Sequence, residues 1–596
     1  MSKRPSSQLR RLPQGGRIDR SQIVTFTFDG HSYQGHAGDT LAAALLANDV
    51  HLVGRSFKYH RPRGIMTAGV DEPNALVRLG RGAHAEPNLR ATQIELFDGL
   101  YAESQNRMPS LKFDIGAVNS VLSRFFPAGF YYKTFMWPAS LWMTYEHVIR
   151  HAAGLGKAAD DHNDPDRYER THAHCDVLVA GGGVAGIMAA VTAAESGARV
   201  ILADEQNEFG GWLLGEAGVE IDAIPTSDWV SMMIGKLAQV PHVTLLPRTT
   251  VFGYMDHNFL TLTERVTDHM PSRPAHLPRQ RLWKVRAKHV ILAQGAHERP
   301  LVFAGNDLPG VMLSGAVRTY INRYAVVPGQ RAVIVTNNDD AYRTALALHD
   351  AGAHVIIADL RATAKGPLIT AATAAGIEIL PGHAVINAVG NLRVGRVEIA
   401  PVNADATAIT GDIIYRDCDL VAMSGGFSPA VHLHSQARGK LQWDDKKLCF
   451  KPSTTHEPST NIGAGNGSFD LAAALREAVR AGHQAAGLTG HSSSMADTPA
   501  VVITKQSWQP LAAWKLPNGH AAGKGPKAFV DFQNDVTATD IGMAAREGYQ
   551  SVEHLKRYTT TGMGTDQGKT SNINALAILA EALGHDIPAV GTTTFR

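Results

Sequence analysis

Three glycines spaced as G-x-G-x-x-G offer the clearest chemistry in this sequence, a binding site for the pyrophosphate of a dinucleotide. Gly181, Gly183 and Gly186 follow the apolar run 175–180 and open an Ala-rich helical stretch. In such a turn the first glycine permits a tight bend, the second lets a pyrophosphate approach the backbone, and the third lets helix and strand pack closely. The N-terminus of the helix then faces the anion. The pattern predicts a nucleotide-binding Rossmann turn.

Acidic residues at the end of the next apolar run support this prediction. Asp204 and Glu205 follow that run, about 18 residues after Gly186. A carboxylate at this place can bind ribose hydroxyls. A later run ends in a small-residue turn at Gly295, as is typical of flavoproteins with two dinucleotide domains. The carboxylates suit the ribose of NAD or of FAD, so both nucleotides remain open at this point.

Two further segments resemble parts of a nucleotide-binding fold but depart from its usual residues. The strand–turn–helix–strand pattern in 329–361 has no glycine in its turn, and Asp339 and Asp340 would face a phosphate. Repulsion and bulk disfavour a pyrophosphate there, so this unit is interpreted as a scaffold with an impaired or altered site. Asn466 stands where flavoproteins carry the aspartate of a Gly-Asp pair. Its neutral amide can still donate or accept a hydrogen bond, but this departure weakens the case for ordinary FAD binding.

The stretch "RGIMTAGVDEPNALV" has the shape of a ferredoxin loop without its ligands. The C-x4-C-x2-C spacing of plant-type ferredoxins falls on Thr67, Glu72 and Ala75. Iron–sulfur clusters need thiolate or, less often, imidazole ligands. The sequence therefore predicts a ferredoxin-like β-grasp domain that has lost its cluster.

A second loop without cysteines lies near the C-terminus. The segments 530–537 and 556–572 resemble the bacterioferritin-associated ferredoxin module. Its four cysteines fall on Asp531, Gln533, Asp566 and Ser571. We accordingly expect no iron–sulfur cluster in the chain. The glycines and Lys569 that remain in the turn suit an anion such as a flavin phosphate; alternatively, the glycines serve the fold alone.

Composition limits the classes of function. The 596 residues carry 57 basic and 55 acidic side chains, which argues against nucleic acid or an anionic membrane as the main partner. The three cysteines, Cys175, Cys418 and Cys449, are far apart and fit a reducing cytosol. The basic N-terminus lacks the apolar region of a secretory signal. The cysteines and the lack of a signal region predict a cytoplasmic protein. No metal-binding pattern and no nucleophile motif appears, so we expect no metal site and no catalytic residue in this chain.

These motifs must be positioned by an α/β protein of several domains. Its expected core is a two-dinucleotide-domain Rossmann fold. A cluster-less ferredoxin-like β-grasp domain would precede the core, with a hairpin at "DG" and a short helix in 37–50 that has Asp39 or Thr40 near its N-cap. A small helical domain would follow the core, with "TATDIGMAAREG" and "SVEHLKRYT" as two helices. The expected boundaries are 1–100 for the β-grasp domain, 101–170 for a helical or irregular connector, 171–505 for the Rossmann domain with a second unit inserted at about 300–410, 506–526 for a linker, and 527–596 for the small helical domain.

The chain resembles the α subunit of heterotetrameric sarcosine oxidase along essentially its whole length. The stretches that carry the resemblance are "GGRIDR", "GDTLAAALLAN", "RSFKYHRPRGI", "DEPNALV", "FYYKTFMWP" and "KRYTTTGMGTDQGKTSN". The resemblance implies a complex that demethylates sarcosine to glycine, formaldehyde and hydrogen peroxide. Its β subunit oxidises sarcosine at FAD, and electrons pass to an FMN at the α–β interface before dioxygen accepts them. The α subunit binds NAD without an evident redox role.

The resemblance also implies sites and partners. NAD would contact Gly181, Gly183, Gly186, Asp204, Glu205, Gly211, Gly295 and Asn466. The FMN pocket would include Thr559, Gly564, Thr565, Asp566, Gln567, Gly568, Lys569, Thr570 and Ser571. FAD, most of the FMN site and sarcosine itself would lie on the β subunit, and small γ and δ subunits are expected beside it.

One departure from this family leaves alternatives open. Its α subunits usually continue into a folate-binding domain, whereas this sequence stops at "GTTTFR". A fragment, a split gene product or a folate-free relative is expected. The α subunit of an opine, proline or cyanide-forming amine dehydrogenase is one alternative, although those relatives often keep cysteines in the "TDQGK" turn. A nucleotide-binding scaffold without chemistry is another, and the isolated chain is expected to be inactive.

Overall fold

The chain forms two compact units in the computed structural model, which describes residues 8–130, 133, 137–152, 154–492, 494–520 and 525–593. The first unit comprises Met1–Asp164, Glu298–Gly426 and Pro510–Phe595, and the second comprises Pro165–His297 and Phe427–Gln509. The basic residues before Gln8 and most of the stretch "YYKTFM" lie outside the described residues.

The N-terminal part of the first unit is a mixed five-stranded sheet. Asp29 and Gly30 close its first hairpin with φ values of 48° and 76°, as a two-residue type I′ turn requires. The strands in spatial order are His31–Ala37, Asp19–Phe28, Tyr101–Ser104, Leu76–Leu79 and Glu86–Arg90. The hairpin predicted at "DG" is confirmed, but the sheet extends beyond residue 100, because the strand starting at Tyr101 pairs inside it.

The short helix Leu41–Ala47 follows the first hairpin, and all of its residues are buried. Its Thr40 hydroxyl accepts a hydrogen bond from the Ala43 amide at 3.2 Å, an N-cap of the kind expected from the sequence. The pair of strands Gly54–Arg55 and Pro62–Arg63 then leads into the ferredoxin-type loop. Helix and loop belong to one hydrophobic core, which also includes strands of the parallel sheet of this unit.

A parallel sheet forms the middle of the first unit. Its strands in spatial order are Val311–Leu313, Leu420–Ser424, Arg331–Thr336, His354–Asp359 and Glu378–Pro381. Its helices are Ser314–Tyr324, Asp340–Asp350 and Pro367–Ala374, and an antiparallel meander adds His383–Gly390, Val394–Pro401 and Ile414–Asp417. The strand–turn–helix–strand pattern expected in 329–361 is confirmed.

The C-terminal part of the first unit is mainly helical. Its elements are the strands Phe529–Asp531 and Val536–Thr537, the helices Ala538–Arg546, Val552–Thr559 and Asn572–Leu583, and the 3-10 turn Ile587–Val590. The first two helices match the sequence expectation. The third helix was not predicted, because the residues before it had been interpreted as a ligand-binding turn.

The second unit carries the first Rossmann motif. Its main sheet contains Val243–Leu246, Val200–Ala203, Tyr168–Ala180, Gln280–Leu292, Phe259–Arg265 and Thr249–Met255, with Ser459–Asn461 beside Gln280–Leu292. Its shorter strands are Glu220–Ile221, Ile224–Pro225, Ala296–Glu298, Phe427–Pro429, Leu441–Asp444, Cys449–Pro452 and Val501–Val502, and its helices are Val184–Glu195, Thr226–Ala238, His432–Gln436 and Leu471–Leu488.

Two of these helices, Val184–Glu195 and Leu471–Leu488, approach each other closely in the core of the second unit. A Cβ on Gly482 would lie 2.5 Å from the carbonyl oxygen of Ala189. Such a distance cannot be accommodated without moving the backbone, so the glycine fixes how closely the helices pack. Both helices contribute buried alanine side chains to one core, together with Ile187 of the first helix and Leu475 of the second.

The connector of the first unit contains the helices Val118–Val121 and Trp142–Ala152. Large apolar side chains are exposed along it, with Val121 81% and Trp137 83% accessible. No helix in the described part of the chain combines the length and apolar character needed to cross a membrane.

A buried ion network joins the parts of the first unit. Arg63, only 1% exposed, pairs with both Asp307 and Asp535. Arg61 also contacts Asp307 through two hydrogen bonds, at 2.5 and 2.8 Å. Burial alone would raise the pKa of Asp307, but Arg61 and Arg63 together hold it below its ordinary value. The β-grasp hairpin, the segment before the parallel sheet and the C-terminal part thus share one set of charges.

We expect Asp307→Asn to destabilise the protein by about 3–5 kcal/mol, because it removes a carboxylate from the buried guanidinium of Arg63 and the half-buried one of Arg61. The free energy of unfolding in urea measures the change. Arg396→Gln is the control, since it removes an ion pair whose two side chains are more than half exposed, and it should cost at most about 1 kcal/mol. Equal losses in both variants would contradict the role given to the network.

Candidate functional site

The three glycines of the first Rossmann turn differ in how much space surrounds them. A Cβ on Gly181, whose φ is +108°, would lie 2.3 Å from the carbonyl oxygen of Ala293. A Cβ on Gly186 would lie 1.9 Å from the carbonyl oxygen of Gly181. Both glycines are therefore required by packing within the protein. A Cβ on Gly183, by contrast, would meet no atom within 4 Å among the described residues, so this glycine borders open space.

The helix Val184–Glu195 begins at that open space. Its N-cap is Gly183, and no side chain of the described residues caps it. The first helical hydrogen bond there runs from the Ile187 amide to the Gly183 carbonyl at 2.9 Å. The amides of the first turn are consequently available to an acceptor from outside the helix. Amides and helix dipole together fit a pyrophosphate.

Asp204 holds the glycine turn in place. One carboxylate oxygen accepts a hydrogen bond from the Gly182 amide at 2.6 Å, and the other accepts from the Gln206 amide at 2.8 Å. Glu205 follows it, and its carbonyl oxygen accepts from Arg265 at 2.7 Å. Both acidic residues lie beside the turn, as the sequence predicts, and their contact with a ribose stays a prediction. The bracing of the turn by Asp204 was not foreseen.

Glycines distant in the sequence meet at the same turn. The Gly210 amide donates to the Gly182 carbonyl at 2.8 Å, and a Cβ on Gly211 would lie 3.0 Å from the Cα of Gly183. A Cβ on Gly465 would lie 3.4 Å from the Gly295 carbonyl oxygen. These approaches leave little room for side chains around the turn, which suits close contact of a ligand with the backbone.

Asn466 is held by an acidic residue that the sequence reasoning missed. Its amide nitrogen donates to Glu477 at 3.4 Å, and the Gly463 amide donates to the same carboxylate at 2.9 Å. The Ser468 hydroxyl is a third donor to it. Glu477 is the one acidic residue of the helix Leu471–Leu488, and that isolation was the available signal. It organises the turn in which Asn466 was expected to contact a cofactor.

The second Rossmann turn is filled by ion pairs and by its own chain. Asp339 pairs with Arg361 at 2.7 Å, and Asp340 pairs with Arg318 at 3.0 Å. Leu511 bonds to Asn337 twice: its amide donates to the Asn337 carbonyl at 3.0 Å, and its carbonyl accepts from the Asn337 side chain at 2.7 Å. The aspartates that disfavour a phosphate are therefore neutralised by protein cations.

In the ferredoxin-type loop, the carboxylate of Glu72 accepts the hydrogen bonds that the loop amides would otherwise give to a group from outside the protein. Its fully buried carboxylate accepts hydrogen bonds from four loop amides, those of Met66, Thr67, Asn74 and Ala75, at 2.7–3.0 Å. Burial raises the pKa of Glu72, and the four amides oppose that rise. Thr67 and Ala75 are also buried, so the three positions expected from the spacing form one packed loop.

The C-terminal turn brings together the four positions expected from the second module. The Gln533 side chain accepts from the Asp566 amide at 2.9 Å, and Asp531 accepts from the Gly562 amide at 2.7 Å and from the Ser571 hydroxyl at 3.5 Å. One carboxylate oxygen of Asp566 has no partner among the described residues. Burial, with the charge of Asp531 nearby, raises the pKa of Asp566 to about 7.

The glycines of this turn serve its internal packing. A Cβ on Gly562 or Gly568 would lie 2.2 or 1.9 Å from the Asn572 side-chain oxygen. A Cβ on Gly564 would lie 2.9 Å from Gln533. Lys569 donates to the Asp566 carbonyl at 3.2 Å. These contacts favour the alternative in which the glycines are kept for the fold, and the contact of this turn with FMN stays a prediction.

Comparison with known families assigns three parts of the chain. Residues 175–449 match the family Pyridine nucleotide-disulphide oxidoreductase, residues 21–107 match the 2Fe-2S iron-sulfur cluster binding domain, and residues 525–596 match the Sarcosine oxidase A3 domain. The α/β class and an oxidoreductase-type nucleotide domain are thereby confirmed.

The expectation that the chain holds no iron–sulfur cluster is contradicted by the match of residues 21–107 to a cluster-binding domain. That expectation rested only on the lack of cysteine ligands, since Cys175, Cys418 and Cys449 all lie outside the matched segment. The match instead reflects the whole domain of hairpin, helix and loop. The side chains at Thr67, Glu72 and Ala75 differ from the thiolates that usually hold such clusters.

The chain is similar to sarcosine oxidase α subunits over nearly all of its length. Sarcosine oxidase subunit alpha of Rhizobium meliloti (strain 1021) is 48% identical over 98% of this chain and 58% of that protein. The subunit of Corynebacterium sp. (strain U-96) is 37% identical over 98% of this chain and 56% of that protein. The chain thus spans little more than half the length of these curated relatives.

A solved structure shares the fold. L-proline dehydrogenase from P. horikoshii has a TM-score of 0.64, with 98% of this chain and 97% of that chain covered. The sequence identity is 18%, so this likeness concerns the fold alone.

We expect Asp566→Asn to flatten the dependence of stability on pH. Because the folded state raises the pKa of Asp566 from 3.8 to about 7, its stabilising contribution is complete below pH 3.8 and is lost as pH rises through 7. Between pH 5 and 8 the wild type should lose on the order of 2 kcal/mol relative to the variant. Urea unfolding across that range measures the difference.

Two comparisons isolate Asp566 in this measurement. Glu298, whose pKa burial raises to about 8, titrates in both proteins and cancels in the difference. Asp405 is exposed, so Asp405→Asn should behave like the wild type. Parallel pH profiles for the wild type and Asp566→Asn would show that Asp566 is ionised throughout.

Proposed function

We propose that this chain is the NAD-binding α subunit of a multi-subunit, flavin-dependent sarcosine oxidase. The observation that carries the proposal is the 48% identity to such a subunit over 98% of the chain. The matches at both ends and in the middle of the sequence are consistent with it. In this function the chain contributes to a complex whose amine oxidation takes place on another subunit.

The reaction of that complex converts sarcosine, dioxygen and water into glycine, formaldehyde and hydrogen peroxide. A β subunit carrying FAD and FMN would bind and oxidise sarcosine, and small γ and δ subunits would complete the assembly. This chain would supply nucleotide binding and one wall of the FMN site. No proton transfer is assigned to its residues.

NAD fits the first Rossmann turn by the chemistry of its groups. Its pyrophosphate would accept hydrogen bonds from the first amides of the helix Val184–Glu195 and approach the backbone at Gly183 and Gly211. Asp204 or Glu205 would receive a ribose hydroxyl. Bound NAD would fill and order this site without a hydride step being assigned to it.

FMN is proposed to contact the turn Thr559–Ser571. The support is the match of residues 525–596 to the Sarcosine oxidase A3 domain. Lys569 is the cation of this turn, and it lies half-buried beside Asp566. Its charge suits the phosphate of the flavin once the partner subunit closes the site.

The first experiment identifies the nucleotide and tests for turnover. The chain is purified alone and denatured, and the released nucleotide is identified by mass spectrometry. NAD without flavin is expected, as is the absence of sarcosine-dependent hydrogen peroxide until a β subunit is added. Released FAD, or peroxide formed by the chain alone, would overturn the proposal, because either would place the redox chemistry in this chain.

Substitutions of two glycines should separate binding from folding. Gly183→Val places its side chain in open space, so we expect the melting temperature to stay within about 2 °C while co-purified NAD falls at least about tenfold, a loss of about 1.4 kcal/mol. Gly186→Val should fail to fold or melt far lower, because its Cβ meets a carbonyl at 1.9 Å.

Gly235→Ala is the matched control for these variants. It lies in the helix Thr226–Ala238, and a Cβ there would meet no described atom within 4 Å. It should keep its NAD and be equally or slightly more stable, since alanine favours helices over glycine. Unchanged NAD content in Gly183→Val would place the nucleotide elsewhere.

A further inference from the structure

Three aromatic side chains from separate segments of the second unit form a cluster that the proposed function has not used. The ring centroids of Phe427 and Phe469 lie 5.8 Å apart, and those of Phe427 and Trp508 also lie 5.8 Å apart. The centroids of Phe469 and Trp508 are 5.6 Å apart. Separations of this size are typical of interacting aromatic pairs, so each ring of this aromatic cluster contacts the other two.

The aromatic cluster is open to solvent on part of its surface. All three of its side chains are half-buried. The indole N–H of Trp508 donates to no acceptor among the described residues, yet the protein does not enclose it. A buried indole N–H usually has a hydrogen-bond partner, so an accessible one without a partner suits a group that binds from outside the protein.

Four parallel strands of the second unit end in register at one edge of its main sheet. Their last residues pair in sequence: Ala203 with Ala180, Ala180 with Leu292, and Leu292 with Asn461. Neighbouring strands lie about 4.8 Å apart, so the four ends span about 14 Å. Ligands of open α/β sheets bind outside the carboxyl ends of such strands.

The order of these strand ends gives the proposed NAD a direction along the edge. Asp204, which would receive the first ribose, follows the strand that ends at Ala203. Gly181, which opens the turn proposed for the pyrophosphate, follows the neighbouring strand, which ends at Ala180. The second half of the dinucleotide would therefore extend toward the other two strand ends, on the side away from Asp204.

The aromatic cluster adjoins the segments that follow those two strand ends. The carbonyl of Gly295, just after the third strand, accepts a hydrogen bond from the Ala430 amide at 3.0 Å. A Cβ on Gly465, just after the fourth strand, would lie 3.4 Å from the same carbonyl oxygen. Phe427 is three residues from Ala430, and Phe469 is four residues from Gly465. At about 3.8 Å between consecutive Cα atoms, these separations are at most about 11 and 15 Å.

We propose that the aromatic cluster binds the second base of the dinucleotide, the nicotinamide ring of NAD, by stacking. Flat bases stack on aromatic side chains because both present a π-face. The accessible N–H of Trp508 can donate to the carboxamide oxygen of that ring. This inference rests on the proposed binding of NAD at the first Rossmann turn, and it names the residues that recognise the part of NAD lying beyond the pyrophosphate.

The test compares NAD with ADP-ribose, which keeps the adenosine, the pyrophosphate and the second ribose but lacks the nicotinamide ring. Binding to the full chain, dialysed free of co-purified nucleotide, is measured by calorimetry. The wild type should bind NAD at least about tenfold more tightly than ADP-ribose, as expected for one stacked base. Trp508→Leu and Phe469→Leu should each weaken NAD binding at least about fivefold and ADP-ribose binding less than about twofold.

Two further variants control for indirect effects. Trp508→Phe keeps an aromatic ring, so it should retain most of the preference for NAD. Trp283→Leu removes another half-buried tryptophan, whose indole N–H donates to Glu264 at 2.7 Å. Trp283 lies nine residues before the end of the strand Gln280–Leu292, about 30 Å from the carboxyl edge, so this variant should bind both ligands like the wild type.

The outcomes distinguish this inference from the proposed function. A preference for NAD that Trp508→Leu and Phe469→Leu reduce supports the stacking site. Equal affinities of the wild type for NAD and ADP-ribose would overturn the inference while leaving NAD binding intact, and this comparison needs no variant to fold. A preference that neither cluster variant changes would also overturn it, because the ring would then bind elsewhere. If the wild type binds neither ligand, the proposed NAD site fails, and the inference fails with it.

Discussion

The buried charge of Arg63 constrains the whole first unit. A guanidinium that is removed from water must keep its carboxylates, because the loss of one partner leaves an uncompensated charge in a poor solvent for ions. Its two partners, Asp307 and Asp535, come from segments far apart in the chain. Asp535 also accepts the amides of Lys58 and Tyr59 at 3.0 and 2.8 Å. These contacts join the strand pair Gly54–Arg55 and Pro62–Arg63 to the C-terminal part of the first unit.

A buried carboxylate is stabilised differently in each of the two ferredoxin-type loops. Glu72 is surrounded by four amides, so its charge is distributed over a loop that closes on it. Asp566 lies near the acidic Asp531, and one of its carboxylate oxygens has no partner among the described residues. Burial and the charge of Asp531 raise the pKa of Asp566 to about 7. The first arrangement closes the loop through hydrogen bonds to one carboxylate. The second makes the C-terminal turn sensitive to pH, next to the proposed FMN contact.

The nucleotide site depends on backbone approach more than on side chains. Gly181 and Gly186 have no space for a Cβ, whereas Gly183 has space that the protein does not use. Asp204 and Glu477 hold the surrounding turns through amide hydrogen bonds. The second Rossmann turn differs, because Arg318 and Arg361 pair with its two aspartates and Leu511 bonds to Asn337. One topology thus supports one open turn and one closed turn.

The sequence by itself determined the local elements, because hairpin turns, glycine turns and strand–helix alternation are dictated by neighbouring residues. It predicted the hairpin at Asp29, the first Rossmann turn and the two helices before Thr559. It could not reveal that Glu477 holds Asn466 or that Leu511 bonds to Asn337. Such contacts join residues far apart in the chain, and charge neutralisation depends on which of them meet. The expectation that the chain holds no iron–sulfur cluster is contradicted by the match of residues 21–107 to a cluster-binding domain, because it considered single ligand positions and not the whole domain.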